Sequence, residues 1–271
     1  MKLFSSRLRG KKVAVLAADG FEYVELAAPK KALRAAGASV EVISLHDGRI
    51  RGMNQTEPTR TVRVHRTLDE ASEDDYDALL IPGGFVGPDL LRQSRRAREL
   101  VQLFDAAGKP IATLCHGPWL LVSADLVAGR MLASWPGIRD DVVHAGGIWR
   151  DEPLVRDANW VTSRGPQDLH AFVPGMMELF AAGTALREPG EAAEVGTTES
   201  SPQYDEPAAL AVTSARLLPG PTLRSVGAAA VVAAAGAYAC ARAAGLTNGH
   251  HAAPSGELGG LVGRLRARGA L

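Results

Sequence analysis

The stretch "ATLCHGPWLL", residues 112–121, places a cysteine beside a histidine between two apolar runs. The run that ends at Leu114 predicts a buried β-strand, and the residues from Pro118 onward predict an apolar helix. Cys115 therefore falls on a strand-to-helix turn, where the free N–H groups and the positive dipole end of a helix favour a thiolate. We expect a lowered pKa for this thiol. The plainer alternative is a buried structural cysteine.

Strand and helix patterns alternate on both sides of this turn, over residues 11–183. Helices are predicted over 23–36, after Ser94 and from Pro166, the last with a kink or an early end at Pro174. Residues 48–67 predict short antiparallel strands, and apolar runs predict buried strands at 11–18, 39–45, 77–81, 109–115 and 159–163. Such alternation indicates an α/β fold with a mainly parallel sheet and right-handed crossovers.

Parallel sheets carry their sites at the carboxyl ends of the strands, and three sequence features fall there. They are the Asp19-Gly20-Phe21-Glu22 turn, the Pro82-Gly83-Gly84 turn and the Cys115-His116 pair. The backbone N–H after the cysteine, together with one from Gly83 or Gly84, is placed to stabilise an oxyanion.

The composition excludes several classes of protein. Lys and Arg number 30, as do Asp and Glu, so the formal net charge is zero, which argues against nucleic-acid binding driven by global charge. Two cysteines cannot build a disulfide framework and suit a reducing compartment. The apolar run at 13–18 is too short for the core of a signal peptide. A cytoplasmic protein is expected.

The C-terminal third differs in composition from the rest. Residues 184–224 are rich in Pro, Gly, Glu and Ser and predict a flexible acidic linker. Residues 225–271 form an Ala-rich tail of unknown role, in which 225–241 carry no charge. A spanning helix needs about 20 strongly apolar residues, so docking on the domain or on a partner is favoured over a membrane segment.

No pattern for a metal or a nucleotide stands out. The histidines lack the spacing of metal ligands, and "GGFVG", residues 83–87, is not followed by the Gly-Lys-Ser/Thr of a phosphate loop. We therefore expect no cofactor and no metal.

Six motifs in order resemble the PfpI family of intracellular cysteine peptidases and protein deglycases, within the class I glutamine amidotransferase-like superfamily. They are "ADGFEYVEL" at 18–26, "DALLIPGG" at 77–84, "GKPIATLCHGPWLL" at 108–121, "SWPGIRDD" at 134–141, "AGGIWRD" at 145–151 and "NWVTSRGPQDL" at 159–169. The resemblance covers roughly residues 11–183 and implies a flavodoxin-like fold, its sheet sandwiched by helices. The tail lies outside it.

The resemblance also implies roles for individual residues. Cys115 matches the nucleophile, and Glu22 matches a carboxylate that bonds its sulfur. His116 matches a histidine that is oriented by a carboxylate of the neighbouring subunit, at the position of Asp89 here. Trp119 follows the turn and is expected to wall the pocket. The plainer alternatives are a helix-start acid for Glu22 and a solvated loop acid for Asp89.

The function implied is cysteine chemistry on small reactive carbonyls, or on their adducts with proteins and peptides, as in glyoxalase III-like and deglycase-like stress proteins. Two alternatives stay open: an intracellular cysteine peptidase, and a non-catalytic stress protein whose Cys115 senses oxidation. The resemblance further implies a homodimer or a higher homo-oligomer.

Overall fold

A computed structural model describes residues 7–183 and 199–202. The elements follow one another as β1 (Lys12–Leu16), β2 (Phe21–Glu22), α1 (Tyr23–Ala35), β3 (Ser39–Ser44), β4 (Arg49–Asn54), β5 (Glu57–Arg63), β6 (Arg66–Thr67), β7 (Ala78–Ile81), α2 (Val86–Gln93), α3 (Arg95–Ala106), β8 (Ile111–Leu114), α4 (Pro118–Ser123), β9 (Met131–Leu132), α5 (Arg139–His144), β10 (Ile148–Trp149), β11 (Val155–Asp157), β12 (Trp160–Ser163) and α6 (Leu169–Ala182).

A seven-stranded sheet in the order β11-β12-β8-β7-β1-β3-β6 forms the centre of the domain. Its strands pair in parallel except for β11 and β12. β1, β7 and β8 therefore end at the same edge, which brings together the three turns singled out in the sequence.

Apolar layers cover both faces of the sheet, because alternate residues of a strand point to opposite sides. Val13 and Val15 of β1 pack with residues of α1 and α6, including Leu33 and Met176. The intervening Ala14 and Leu16 pack on the other face with residues of α3 and α4, such as Phe104 and Leu121. The predicted α/β sandwich is confirmed.

Local signals placed most elements to within a few residues. The Ser94 hydroxyl accepts a hydrogen bond from the amide of Ala97 and begins α3, and Gly37 adopts a φ of +94° just after α1. β4 and β5 form the predicted antiparallel excursion. The early end at Pro174 is wrong, because α6 continues through it to Ala182.

The C-terminal third is described only at residues 199–202. Most of the predicted linker, and the whole Ala-rich tail at 225–271, lie outside the described residues. Within the part that is described, no helix is long and apolar enough to cross a membrane.

Candidate active site

Cys115 lies at the carboxyl end of β8 in a left-handed backbone conformation, with a φ of +58°. Its amide donates to the carbonyl of Ser163 at 3.1 Å, and its carbonyl accepts from the amide of Trp135 at 2.9 Å. A Cβ on Gly117 would lie 2.2 Å from Oγ1 of Thr113, so glycine is required there for the chain to turn back over the strand. Hydrogen bonds and close packing thus hold a conformation that side chains rarely adopt.

This turn brings the side chains of two adjacent residues together. The sulfur of Cys115 lies 3.2 Å from Nδ1 of His116. Burial lowers the pKa of His116 to about 4, because an imidazolium loses its hydration there. The imidazole is therefore neutral near pH 7 and can accept a proton.

Three aromatic rings surround His116. The centroid distances are 4.6 Å to Phe85, 5.1 Å to Trp119 and 5.9 Å to Trp135. Trp119, expected to wall the pocket, is one of these three rings, and its role toward a substrate stays a prediction. Phe85 is 47% exposed, so it forms the outer part of the wall.

A carboxyl group that the sequence analysis did not single out interacts with the sulfur. Glu25, in the first turn of α1, is fully buried, and its side chain faces Cys115. Its Oε2 accepts the amide of Gly83 at 2.7 Å, while its Oε1 has no partner among the described groups. Burial raises the pKa of Glu25 to about 8, and the nearby charge of Glu22 adds to the rise. Glu25 is therefore mainly protonated near pH 7.

The prediction that Glu22 bonds the sulfur is corrected by this arrangement. Glu22 is the N-cap residue of α1, and its Oε2 accepts the amide of Gln55, in the β4–β5 turn, at 2.8 Å. Burial raises the pKa of Glu22 as well. The helical rotation between the two acids explains the difference, since Glu25 shares the buried face of α1 with Leu26 and Leu33.

The two glycines after β7 serve different partners. The Gly83 amide is held by Glu25, so it does not contribute to an oxyanion site in this arrangement. The amides of Gly84 and His116 face the sulfur of Cys115 and act to lower its pKa. A Cβ on Gly83 would lie 2.6 Å from Cβ of Cys115, so only glycine lets the cysteine and Glu25 close on each other.

The expected lowering of the thiol pKa is not what the structure shows. Burial raises the pKa of the Cys115 thiol, and repulsion from an ionised Glu25 raises it further, while the amides of Gly84 and His116 act in the opposite direction. The helix that follows the turn, α4, has only six residues, and the sulfur of Cys115 is buried away from water. The sulfur and the carboxyl thus behave as one titrating pair that does not carry two negative charges.

Residues 11–179 match the DJ-1/PfpI family. The chain belongs to the DJ-1/PfpI family.

Relatives in this family carry names of enzymes. "Deglycase PfpI" of Pyrococcus furiosus is 40% identical over 168 residues, which are 62% of this chain and 98% of that protein. A Bacillus subtilis protein, YraA, named provisionally as a cysteine protease, is 40% identical over 163 residues, which are 60% of this chain and 94% of that protein. Family names thus point to both chemistries considered from the sequence.

A solved structure from the family shares the fold. It is a two-domain protein of Anabaena variabilis with DJ-1/ThiJ/PfpI-like and ferritin-like domains, 33% identical, with a TM-score of 0.59. The match covers 69% of this chain and 52% of that one, so this chain spans about half of that protein. The flavodoxin-like α/β sandwich is that of the DJ-1/PfpI family.

The remaining site residue expected from the family, Asp89, lies in the first turn of α2. It is exposed, and its carboxylate accepts from the side-chain amide of Gln93 at 3.0 Å. Within this one subunit the structure does not bring Asp89 into contact with His116. A role for Asp89 across a subunit interface therefore stays a prediction.

Proposed function

We propose that this DJ-1/PfpI protein is an enzyme in which Cys115 attacks small reactive carbonyls, such as 2-oxoaldehydes, or their early adducts on proteins. The observation that carries the proposal is the surroundings of the sulfur. It lies 3.2 Å from a neutral imidazole, that of His116, and beside the buried carboxyl of Glu25. The relative named "Deglycase PfpI" supports the same chemistry.

The position of one proton decides whether the sulfur is reactive. With the proton on sulfur and Glu25 ionised, the pair is a thiol facing a carboxylate. With the proton on Glu25, the carboxylic acid donates to a thiolate, and two backbone N–H groups donate to it as well. Burial raises the pKa of the thiol above the value of about 8 for Glu25, so both groups keep their protons near neutrality. The nucleophile therefore forms during attack, when the thiol proton passes through His116 to the carbonyl oxygen of the substrate while the protonated Glu25 donates to the sulfur, and two negative charges never stand together.

The reaction then needs no partner other than water. The thiolate adds to the aldehyde carbon, and the carbonyl oxygen takes a proton, which gives a hemithioacetal. His116, as a neutral base, removes the hydrogen from that carbon, and return of a proton to the neighbouring carbon gives the thioester of a 2-hydroxy acid. Water cleaves the carbon–sulfur bond and restores the thiol. Methylglyoxal plus water gives lactate, so oxidation of one carbon is balanced by reduction of the next.

The same site fits removal of early adducts. A carbonyl carbon bound to an amine or a thiol of a protein passes to Cys115 when the carbon–nitrogen or carbon–sulfur bond breaks. The later steps are those described for the free aldehyde. Deglycation and aldehyde conversion therefore share their later steps and differ only in how the carbonyl carbon reaches Cys115.

The peptidase alternative is supported by the name of the Bacillus relative but less by the geometry. Cys115 is 6% exposed, and three aromatic rings enclose the neighbouring histidine. A peptidase needs a cleft that accepts an extended chain, and the low exposure of Cys115 together with these rings disfavours such a substrate. The sensor alternative requires no base beside the sulfur, yet His116 and Glu25 are both there.

The proposal includes the oligomeric state and the cellular location of the protein. We infer a homodimer or a higher homo-oligomer, in which Asp89 of one subunit orients His116 of the next, and a cytoplasmic location that suits a free catalytic thiol.

One experiment separates the alternatives. Purified protein is given methylglyoxal, a freshly glycated peptide and a fluorogenic peptide in parallel, each compared with Cys115→Ser. We expect conversion of the first two and none of the third, with all conversion lost in the variant. Cleavage of the fluorogenic peptide alone would establish the peptidase. Inactivity toward all three, with rapid oxidation of Cys115 by peroxide, would favour the sensor.

A further inference from the structure

Residues 199–202, here called the docking segment, are bound to the domain although they lie inside the sequence predicted as a flexible linker. The amide of Ser201 donates to the carbonyl of Trp149 at 2.8 Å. The hydroxyl of Ser200 accepts the amide of Trp149 at 3.0 Å. Both backbone groups of one residue of β10 are thus held by this segment, one through a backbone amide and the other through a serine hydroxyl.

Further bonds fix the segment on both sides of that contact. The hydroxyl of Ser201 accepts the amide of Asp151 at 3.1 Å. The carbonyl of Ser201 accepts Nε of Arg139 at 2.7 Å, and the carbonyl of Glu199 accepts Nη1 of Arg150 at 3.2 Å. Five hydrogen bonds from three consecutive residues make this a specific contact. The match to the DJ-1/PfpI family ends at residue 179, so the segment belongs to this chain's own extension.

The contact leads to the wall of the active site through a short chain of hydrogen bonds. The indole of Trp149 is fully buried and donates to Oγ of Ser134 at 2.9 Å. That hydroxyl donates to the carbonyl of Trp135 at 3.1 Å. Trp135 in turn stacks on His116, and its amide donates to the carbonyl of Cys115.

Trp135 therefore lies between two points that the docking segment restrains. On one side is Ser134, held through Trp149. On the other is Arg139, which binds the segment directly and follows the 3-10 turn at Pro136–Ile138. A rigid support of this kind sets how often a packed side chain moves aside.

We propose that the docking segment is a positioning element of the active site: by binding β10 and Arg139 it holds the Trp135 wall closed over Cys115, so its release opens the site. The C-terminal extension thereby acquires a means of controlling access to the thiol. What this means for turnover rests on the proposed function, whereas the control of access does not.

The test uses the full-length protein and a readout that needs no substrate. Ser200→Ala/Ser201→Ala removes the two hydroxyl groups that accept the amides of Trp149 and Asp151. Glu199→Ala is the matched control, because that residue is exposed and contributes only its backbone carbonyl. Arg139→Gln breaks the contact from the domain side.

Two quantities are measured. Hydrogen exchange at the amides of Trp149 and Asp151 reports docking, and the rate of alkylation of Cys115, followed by mass spectrometry of its own peptide, reports access. In the double variant and in Arg139→Gln we expect faster exchange and alkylation faster by about three- to tenfold, as for the loss of one or two hydrogen bonds. Glu199→Ala should match the wild type in both.

Each other outcome contradicts the proposal. Unchanged exchange in the double variant would show that the segment is not docked. Faster exchange with unchanged alkylation would show that docking does not control the wall. Equal effects of Glu199→Ala would show that the two hydroxyl groups are not the cause. If exchange and alkylation change as expected but the wild-type protein does not convert carbonyl substrates, only the proposed function is overturned.

Discussion

Cys115 and His116 are neighbours in the chain, yet the sulfur of one lies 3.2 Å from Nδ1 of the other. Adjacent side chains of a regular element diverge, and here they converge because Cys115 adopts a φ of +58°. The local turn, rather than a distant pairing, thus brings the proposed nucleophile and the proposed base together. Residues that permit the turn are as important for activity as the two reacting groups.

The first prediction concerns Gly83, which lets Cys115 and Glu25 approach each other. Gly83→Ala would place a Cβ 2.6 Å from Cβ of Cys115 and 2.7 Å from Oε2 of Glu25. We expect a loss of about 3 kcal/mol or more in the free energy of unfolding, because backbone and cysteine cannot both move aside, and we expect activity to be lost. Urea denaturation and methylglyoxal turnover measure the two effects.

Gly48→Ala is the control for this substitution. Gly48 has a φ of +80° but open space around its Cβ position, so only backbone strain of about 1 kcal/mol is expected there. Equal losses in the two variants would refute the argument from close approach.

A second prediction separates the two acids of α1. Glu25→Gln keeps the size of the side chain but cannot exchange a proton with the sulfur, so kcat should fall by about 10² or more. Glu22→Gln changes the same group one helical turn away, at the residue bound to Gln55, and should stay within about threefold of the wild type. The reverse order in a turnover assay would restore Glu22 as the acid of the site.

A third prediction follows from the pKa of Glu25, which is raised from an ordinary 4.5 to about 8. Between these values the folded chain keeps the proton and the unfolded chain loses it, so this group makes stability fall as pH rises from 4.5 to 8. Glu25→Gln removes the effect. The variant should therefore gain stability relative to the wild type with rising pH, by a few kcal/mol near pH 8.

Denaturation curves of both proteins at pH 5, 6.5 and 8 test this expectation. A difference in the free energy of unfolding that stays constant over the three pH values would show that Glu25 is ionised in the folded protein already at pH 5.

A fourth prediction concerns Asp89 and assembly. If Asp89 completes the site of a neighbouring subunit, Asp89→Asn and Cys115→Ser homomers should each be weak or inactive. Co-expressed, they should regain activity, because a mixed dimer holds one site with an intact Cys115 and an intact Asp89 from the partner chain. No recovery in a verified mixed dimer would refute sharing between subunits.

The sequence was sufficient for the fold and for predicting that several of the candidate site residues lie at one edge of the sheet. Local signals predict most of the elements. Apolar runs of strand length indicate buried strands, Ser94 indicates a helix start, and glycines indicate turns, because each of these acts on its own neighbours in the chain. The same signals placed the Cys115–His116 pair, the double glycine and Trp119 at one edge of the sheet.

What sequence reasoning missed depends on side-chain direction and burial. The motif "FEYVE" contains two acids, and choosing Glu25 requires noticing that it shares the buried stripe of α1 with Leu26 and Leu33. The thiol pKa was expected to fall from the helix end alone, whereas burial and the adjacent carboxyl act more strongly. The docking segment could not be foreseen, because its contacts depend on backbone groups and two serines within a sequence of linker composition.

The central claim is that Cys115 is the nucleophile of a carbonyl-converting enzyme. The most direct measurement is the rate at which the full-length protein converts methylglyoxal to lactate, compared with Cys115→Ser at equal concentration. The account predicts that the variant loses this rate by a factor of about 10³ or more, and that the wild type, quenched during turnover, carries one methylglyoxal equivalent on the peptide that contains Cys115. Lactate formation by Cys115→Ser within about tenfold of the wild type would contradict it.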